Sequence, residues 1–388
     1  MTSLRGLAVA VVLLLLVGCT ATTGDERSAP AAASSDTGAA LRTMLETERE
    51  QYGAPGALAV VRAGERRWAV ATGAADGSGT PLPTSATFRI ASITKPIVAA
   101  LVLQAVDRGE VSLEDEVGEL VPGVVRDAPA VSVRMLLDHT SGVFDELNEG
   151  DAEADVARLE DPVLASEARR LLEGRAAGER VIASDRLLVA LAETHDRYFP
   201  PGTAYHYSNT NYQLAAMVLE KVSRQPLSVL LSTWVAGPLG LRHTTLAPPD
   251  LASPVMRGYT RAGTADSLVD VTDDLLAFGN GGNGGVVSTA DELLTVLASI
   301  VSARLFPAEL VTEMTTPAQG NYGLGLAEYP TRCGTFYGHG GAVNGTGSIA
   351  MVSPDGRDGV VIAQNLLGEK DADLPALARE MVCTALGR

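Results

Sequence analysis

The chain has 388 residues, with 47 Asp and Glu against 30 Lys and Arg and a formal net charge of −17 at pH 7. That length holds one large or two ordinary domains with ample core. The acidity argues against nucleic-acid binding, which needs a basic footprint, and against electrostatic attachment to a membrane surface.

The amino terminus reads as a processing segment. Arg5 precedes an unbroken apolar run, 7–17, too short to span a bilayer comfortably but long enough for a signal-peptide core. Leu16-Val17-Gly18-Cys19 resembles a bacterial lipobox, with Cys19 the lipidated residue and 1–18 the signal peptide. An ordinary secretory signal with an incidental cysteine is the alternative. Residues 19–38 are expected to be a flexible tether, being rich in Ala, Ser and Thr without hydrophobic periodicity. Two further cysteines, Cys333 and Cys383, suggest in an exported chain a disulfide from a late strand to the last helix. Two buried free thiols are the alternative.

Residues 37–51 carry Ala40, Leu41, Met44 and Leu45, a spacing that suits a helix lying on a sheet. Residues 57–62 and 66–72 read as a β-hairpin turning at Ala63-Gly64-Glu65. After a polar stretch, Phe88-Arg89-Ile90 leads into a helix carrying Ser92 and Lys95 in its first turn. Pro96 is tolerated there because that turn has no use for its N–H. From Ile97 to about Gly109 the helix is apolar nearly all round, which marks it as buried.

Ser92 and Lys95, three apart on a helix, lie on one face. Serine needs a base to become a nucleophile, and lysine can serve because burial lowers its pKa, whereas arginine stays protonated. Lys95, Lys221 and Lys370 are the chain's lysines, and Lys95 alone follows a serine at this spacing. Taken singly, the pair could be a chance one on a solvated face. The helix start also supplies unpaired N–H groups and a positive dipole end near Ser92.

Residues 131–137 read as helical and lead to His139-Thr140-Ser141-Gly142, where His139 is read as holding a loop. No Gly-x-Ser-x-Gly elbow occurs, which excludes an α/β-hydrolase nucleophile. Residues 145–180, charged and helical in tendency, read as an exposed insertion. Beyond the turn Pro200-Pro201-Gly202-Thr203, Tyr207 and Asn209 stand two apart on a non-helical segment and can point into one cleft. A tyrosine beside a cationic lysine has a lowered pKa and can shuttle a proton; an asparagine amide can grip a substrate amide. Alternatively, Tyr207 packs in the core and Asn209 caps the next helix.

The glycine-dense loop 278–285 lacks the Gly-Lys-Ser/Thr of a phosphate loop. Thr289-Ala290-Asp291-Glu292 reads as a capping box opening a helix to about Ser302. Residues 322–326, 335–338, 345–352 and 359–364 read as strands, Pro354-Asp355-Gly356 as a hairpin turn and 374–386 as the closing helix. Gly338-His339-Gly340-Gly341-Ala342 lies on or beside a strand, where consecutive glycines mean close backbone approach and bare N–H groups can complete an oxyanion hole. No His-x-His or His-Glu-x-x-His occurs, and no metal or other cofactor is expected.

Ser92-x-x-Lys95, Tyr207-x-Asn209 and His339-Gly340-Gly341 occur in the order and approximate spacing of the penicillin-recognising serine hydrolases. The sequence resembles that family over nearly all of 39–388, in the branch of class C β-lactamases, secreted D-alanyl-D-alanine carboxypeptidases and related esterases. The resemblance implies an α/β (α+β) fold, an antiparallel sheet flanked by terminal helices. The sheet region would come from about 39–96 and 281–388, with a mostly helical region, about 97–280, inserted between. Ser92 would be acylated, with Lys95 and Tyr207 moving the proton. The N–H groups of Ser92 and Ala342 would hold the oxyanion, and Asn209, His339, Gly340 and Gly341 would line the substrate site. Relatives commonly carry Lys-Thr-Gly or His-Thr-Gly in the third element; Gly340 has no hydroxyl with which to hold a substrate carboxylate. The expected activity is D-alanyl-D-alanine carboxypeptidase on peptidoglycan-derived peptides by a lipid-anchored monomer at the outer face of the membrane. A β-lactamase, a carboxylic-ester hydrolase and a non-turnover β-lactam or wall-fragment sensor are the alternatives.

Overall fold

The computed structural model describes residues 31–125, 131–177, 183–246, 255–261, 267–272, 281–367 and 373–388. The signal peptide, Cys19 and residues 278–280 lie outside them. The first helix, Ala31–Tyr52, begins inside the stretch expected to be a tether. Its Leu41 and Leu45 are fully buried, so this helix is held by the sheet it covers.

Strands β1 (Gly56–Ala63) and β2 (Arg66–Gly73) form the expected hairpin. Short strands β3 (Phe88–Arg89), β4 (Thr245–Leu246), β5 (Tyr259–Arg261), β6 (Leu268–Asp270) and β7 (Val286–Ser288) follow. Of these, β7 pairs with both β3 and β4, and β5 pairs with β6. Near the carboxy terminus come β8 (Ala327–Thr331), β9 (Gly334–Val343), β10 (Thr346–Val352) and β11 (Gly359–Gln364). The main sheet is antiparallel, in the order β2-β1-β11-β10-β9-β8. Its centre joins the two ends of the chain, Ala57 of β1 standing opposite Gln364 of β11.

Both faces of this sheet are covered. Successive side chains of a strand point to opposite faces, so Ala57, Ala59 and Val61 pack with Leu41, Leu45 and Met381 of the terminal helices. Leu58 and Val60 join Ile97, Leu293, Val361 and Ala363 on the other side, beneath the helices Thr94–Asp107 and Ala290–Val301. Cys333, in the β8–β9 turn, is disulfide-bonded to Cys383 of the last helix, Leu374–Ala385.

Several local expectations are corrected. Residues 322–326 are a loop, not a strand. Gly325 has φ 84, and a Cβ there would lie 2.8 Å from the Ala99 Cβ, so the chain bends to pass under the buried helix. The strand lies just beyond, in β8, whose Glu328 and Pro330 hid it. The stretches 335–338 and 338–342 are one strand, β9. Residues 145–180 are not simply an exposed insertion: Val156, Leu164, Ala168, Leu187, Leu188 and Leu191 form a small core of their own, and Asp145, Glu146 and Asp155 are buried. The capping box is half made. Thr289 accepts the Glu292 N–H at 3.3 Å, but the Glu292 carboxylate turns away to the N–H groups of Arg242 and His243 and the Thr244 hydroxyl.

Candidate active site

Strand β3 delivers the chain to the site. Its register against β7 is fixed by Phe88 opposite Ser288 and Arg89 opposite Val287. The next residues are pinned by the Ile90 N–H on Val286 O at 3.1 Å. Ala91 then adopts φ 48, a left-handed conformation that costs a non-glycine residue about 1–2 kcal/mol. Ser92 therefore sits on a 3₁₀ turn, Ala91–Ile93, just before the α-helix Thr94–Asp107 rather than within it. A 3₁₀ turn eclipses side chains three apart, and Lys95 Nζ lies 2.9 Å from Ser92 Oγ. Ser92 is partly exposed at the cleft, whereas Lys95 is fully buried.

The surroundings of Lys95 decide which way its lone pair points. Besides Ser92, Nζ donates to Asn209 Oδ1 at 2.8 Å and to the Asn283 backbone oxygen at 2.9 Å. Both are acceptors in that orientation. A neutral amine keeps those two hydrogen bonds and directs its lone pair at the one partner with a proton to give, the Ser92 hydroxyl. Burial pulls the Lys95 pKa down to about 7, against an opposing pull from Asp145.

Asn209 is the first residue of the helix Asn209–Ser223, with Ser208 at the N-cap. Its Nδ2 donates to both Asp145 oxygens at 3.2 Å, which fixes the amide with its oxygen toward Lys95. Both ends of the amide are thus engaged by protein, and Asn209 holds the lysine more directly than it could hold a substrate. Asp145, at 1% exposure, and the Asn283 carbonyl were not foreseen. Nothing in their local sequence marks them, because their importance lies in contacts from distant loops.

Tyr207 donates to Ser92 Oγ at 3.0 Å. The expected lowering of its pKa is reversed: burial raises it, and the hydrogen bond to Ser92 offsets this only in part. With Lys95 itself depressed, the cation that was to have lowered the phenol is weak. Tyr207 is a proton donor at neutral pH. Its ring leans on His139, centroids 4.4 Å apart. His139 Nδ1 accepts from the Ser208 N–H at 3.2 Å and from Asn211 Nδ2 at 3.1 Å. Burial lowers its pKa well below the usual value, so a neutral imidazole braces the Tyr207 loop, as the loop-holding role expected.

Strand β9 forms the opposite wall. Its pairing with β8 ends at Gly338, and β10 continues alone beside it, with Gly341 opposite Ser348 and Ala342 opposite Gly347. The free side faces the Ser92 turn. A Cβ on Gly341 would lie 2.3 Å from Ile90 O, whereas one on Gly340 would meet nothing nearer than Ser348 O at 3.9 Å. His339 pairs with neither Tyr207 nor a carboxylate. Its Nδ1 hydrogen goes to the Gly340 carbonyl, so Nε2 accepts from Tyr322 OH at 2.9 Å. Burial first, then Lys95, push its pKa down to about 3. The imidazole is therefore neutral.

Ser92, Tyr207, Asn209, His339, Gly340, Gly341 and Ala342 line one cleft of about 420 Å³. Leu367, Leu374 and Pro375 line it too, and its described lining residues include no lysine or arginine.

A family model described as Beta-lactamase matches residues 41–382. D-aminopeptidase of Cereibacter sphaeroides is 26% identical over 90% of this chain and 63% of its own length. Penicillin-binding protein 4 of Amycolatopsis lactamdurans is 28% identical over 82% of this chain and 81% of its own. The first curated relatives matched are longer proteins, of which the chain spans 40 to 63%. Among solved structures, a D-stereospecific amidohydrolase from Streptomyces sp. superimposes with a TM-score of 0.71 at 31% identity, covering 88% of this chain and 98% of that one. The chain belongs to the beta-lactamase family and has the fold of the penicillin-recognising serine hydrolases.

Proposed function

We propose that the chain hydrolyses D-aminoacyl amides and peptides through an acyl-enzyme on Ser92, with a leaving group that carries no carboxylate. The observation that carries this reading is the buried Lys95 amine, 2.9 Å from Ser92 Oγ with its other partners both acceptors. Neutral Lys95 takes the Ser92 proton as Oγ bonds to the substrate carbonyl carbon. The Ser92 and Ala342 N–H groups hold the oxyanion, each such donor being worth about 10²–10³ in rate. As the C–N bond breaks, Tyr207 gives its proton to the departing amine and is reprotonated from Lys95 by way of the hydroxyl cluster. Water then repeats the sequence on the acyl-enzyme.

The leaving-group side supports an uncharged group. Gly340 supplies no hydroxyl, His339 is neutral and committed to Tyr322, and the described lining residues offer no cation. The D configuration rests on the amidohydrolase and D-aminopeptidase relatives. The penicillin-binding relative favours a second reading, the D-alanyl-D-alanine carboxypeptidase expected from sequence. An exported, lipid-anchored enzyme is part of the proposal. Its support is the Cys333–Cys383 disulfide, a bond rare in reducing compartments, and the motif ending at Cys19.

A side-by-side assay separates the readings, using D- and L-alanine p-nitroanilide, a D-Ala-D-Ala-terminated peptide, nitrocefin and a short p-nitrophenyl ester. The D-anilide is expected to exceed both the L-anilide and the D-Ala-D-Ala peptide by about 10-fold or more in kcat/KM, with no turnover in Ser92→Ala. Preference for the carboxylate-ended peptide, or turnover of the ester alone, would contradict the proposal.

A further inference from the structure

Behind the cleft wall, three ligand-type side chains meet that no contiguous motif announces. Glu146 opens the short helix Glu146–Glu149, Asp155 lies on the helix Ala152–Val156, and His195 follows the helix Asp185–Ala192. Each offers an atom within 4.8 Å of the others. Glu146 is 7% exposed and Asp155 is fully buried. His195 stacks on Phe144 with centroids 3.9 Å apart, which aims its Nε2 to within 2.9 Å of Asp155 Oδ1. Asp155 Oδ2 is anchored by the Asp151 N–H at 2.9 Å. Glu146 Oε2 is buried and has no hydrogen-bond partner.

We propose that Glu146, Asp155 and His195 bind one divalent transition-metal ion that pins the acidic segment carrying Asn148, a residue that lines the cleft. Buried polar atoms are nearly always partnered, and here one without a partner belongs to a carboxylate that stands together with a second carboxylate and an imidazole, a set that suits a cation. One imidazole nitrogen with carboxylate oxygens suits Zn²⁺ or Mn²⁺ better than Ca²⁺, which takes six to eight oxygens. The 2.9 Å between His195 Nε2 and Asp155 Oδ1 need open only to about 3.4 Å for both atoms to sit about 2.1 Å from a tetrahedral metal. Arg158 NH1 approaches Asp155 Oδ1 at 3.0 Å but is half exposed and can turn to solvent. The site adjoins the chemistry through the chain itself, since Asp145, next to Glu146, fixes Asn209 and through it Lys95.

The test titrates Zn²⁺, and separately Ca²⁺, into the metal-stripped full chain, reading stoichiometry by calorimetry and stability by thermal melting. The expected result is one Zn²⁺ per chain and a rise in Tm of about 3 °C or more at saturation, with Ca²⁺ inert. Glu146→Gln should weaken Zn²⁺ binding by about 10-fold or more and lose the rise, while its own metal-free Tm is no lower than that of the parent. Failure to take up Zn²⁺, or uptake unchanged in Glu146→Gln, would overturn the proposal. Neither outcome depends on which substrate Ser92 accepts.

Discussion

Lys95→Arg lowers kcat/KM by about 10³-fold or more. A guanidinium cannot give up its proton, so the Ser92 hydroxyl loses the acceptor that now lies 2.9 Å away. The site is also shaped for a small nitrogen, with carbonyl oxygens at 2.8 and 2.9 Å and no solvent exposure. Lys95→Met separates packing from proton transfer, because it keeps a linear apolar stem and removes the amine. Both variants should be comparably slow, and Lys95→Met should still fold but melt a few degrees lower than the parent, because Asn209 Oδ1 and the Asn283 carbonyl lose their buried donor. An arginine variant within about 10-fold of the parent rate would show that the lysine does not carry the proton.

The second large effect separates two neighbouring glycines. Gly341→Ala is expected to cost about 10²–10³ in kcat, because its Cβ would lie 2.3 Å from Ile90 O and 2.5 Å from Ser348 Oγ. Either β9 or the 3₁₀ turn must move, and the Ala342 and Ser92 N–H groups no longer converge on one oxygen. Gly340→Ala meets nothing within 3.9 Å and should stay within about threefold of the parent rate. Steady-state kinetics on the preferred substrate reads both. Equal tolerance at the two positions would mean that close approach of β9 to the Ser92 turn is not needed.

Much of this site was legible because its chemistry is encoded in short spacings. Ser92 and Lys95 need only one turn to meet, and the apolar run behind them announces the burial that weakens the ammonium. Tyr207 and His339-Gly340-Gly341 became readable through their order along the chain. What stayed hidden depends on contacts between distant loops. Asp145 and Asn283 reach Asn209 and Lys95 from segments that read as a charged insertion and a glycine-rich loop. Tyr322 was assigned to a strand because apolar residues alternate there, but Gly325 at φ 84 turns that stretch into a loop whose phenol reaches His339. The sign of the Tyr207 shift also depends on depth: a neighbouring cation lowers a phenol, burial raises it, and here burial wins.

Two opposed shifts at one hydroxyl set the pH behaviour. The Lys95 pKa is lowered from its ordinary 10.5 to about 7; its base form is lost as pH falls through that value. Tyr207 is raised, so it stays protonated throughout the neutral range. The most direct measurement is therefore kcat/KM from pH 5 to 10 with a substrate that does not itself titrate there. A rise with unit slope centred near pH 7, reaching a plateau through pH 9, is the predicted result. A rise centred near the pKa of an ordinary lysine, or no dependence on pH at all, would contradict the claim that burial of Lys95 is what activates Ser92.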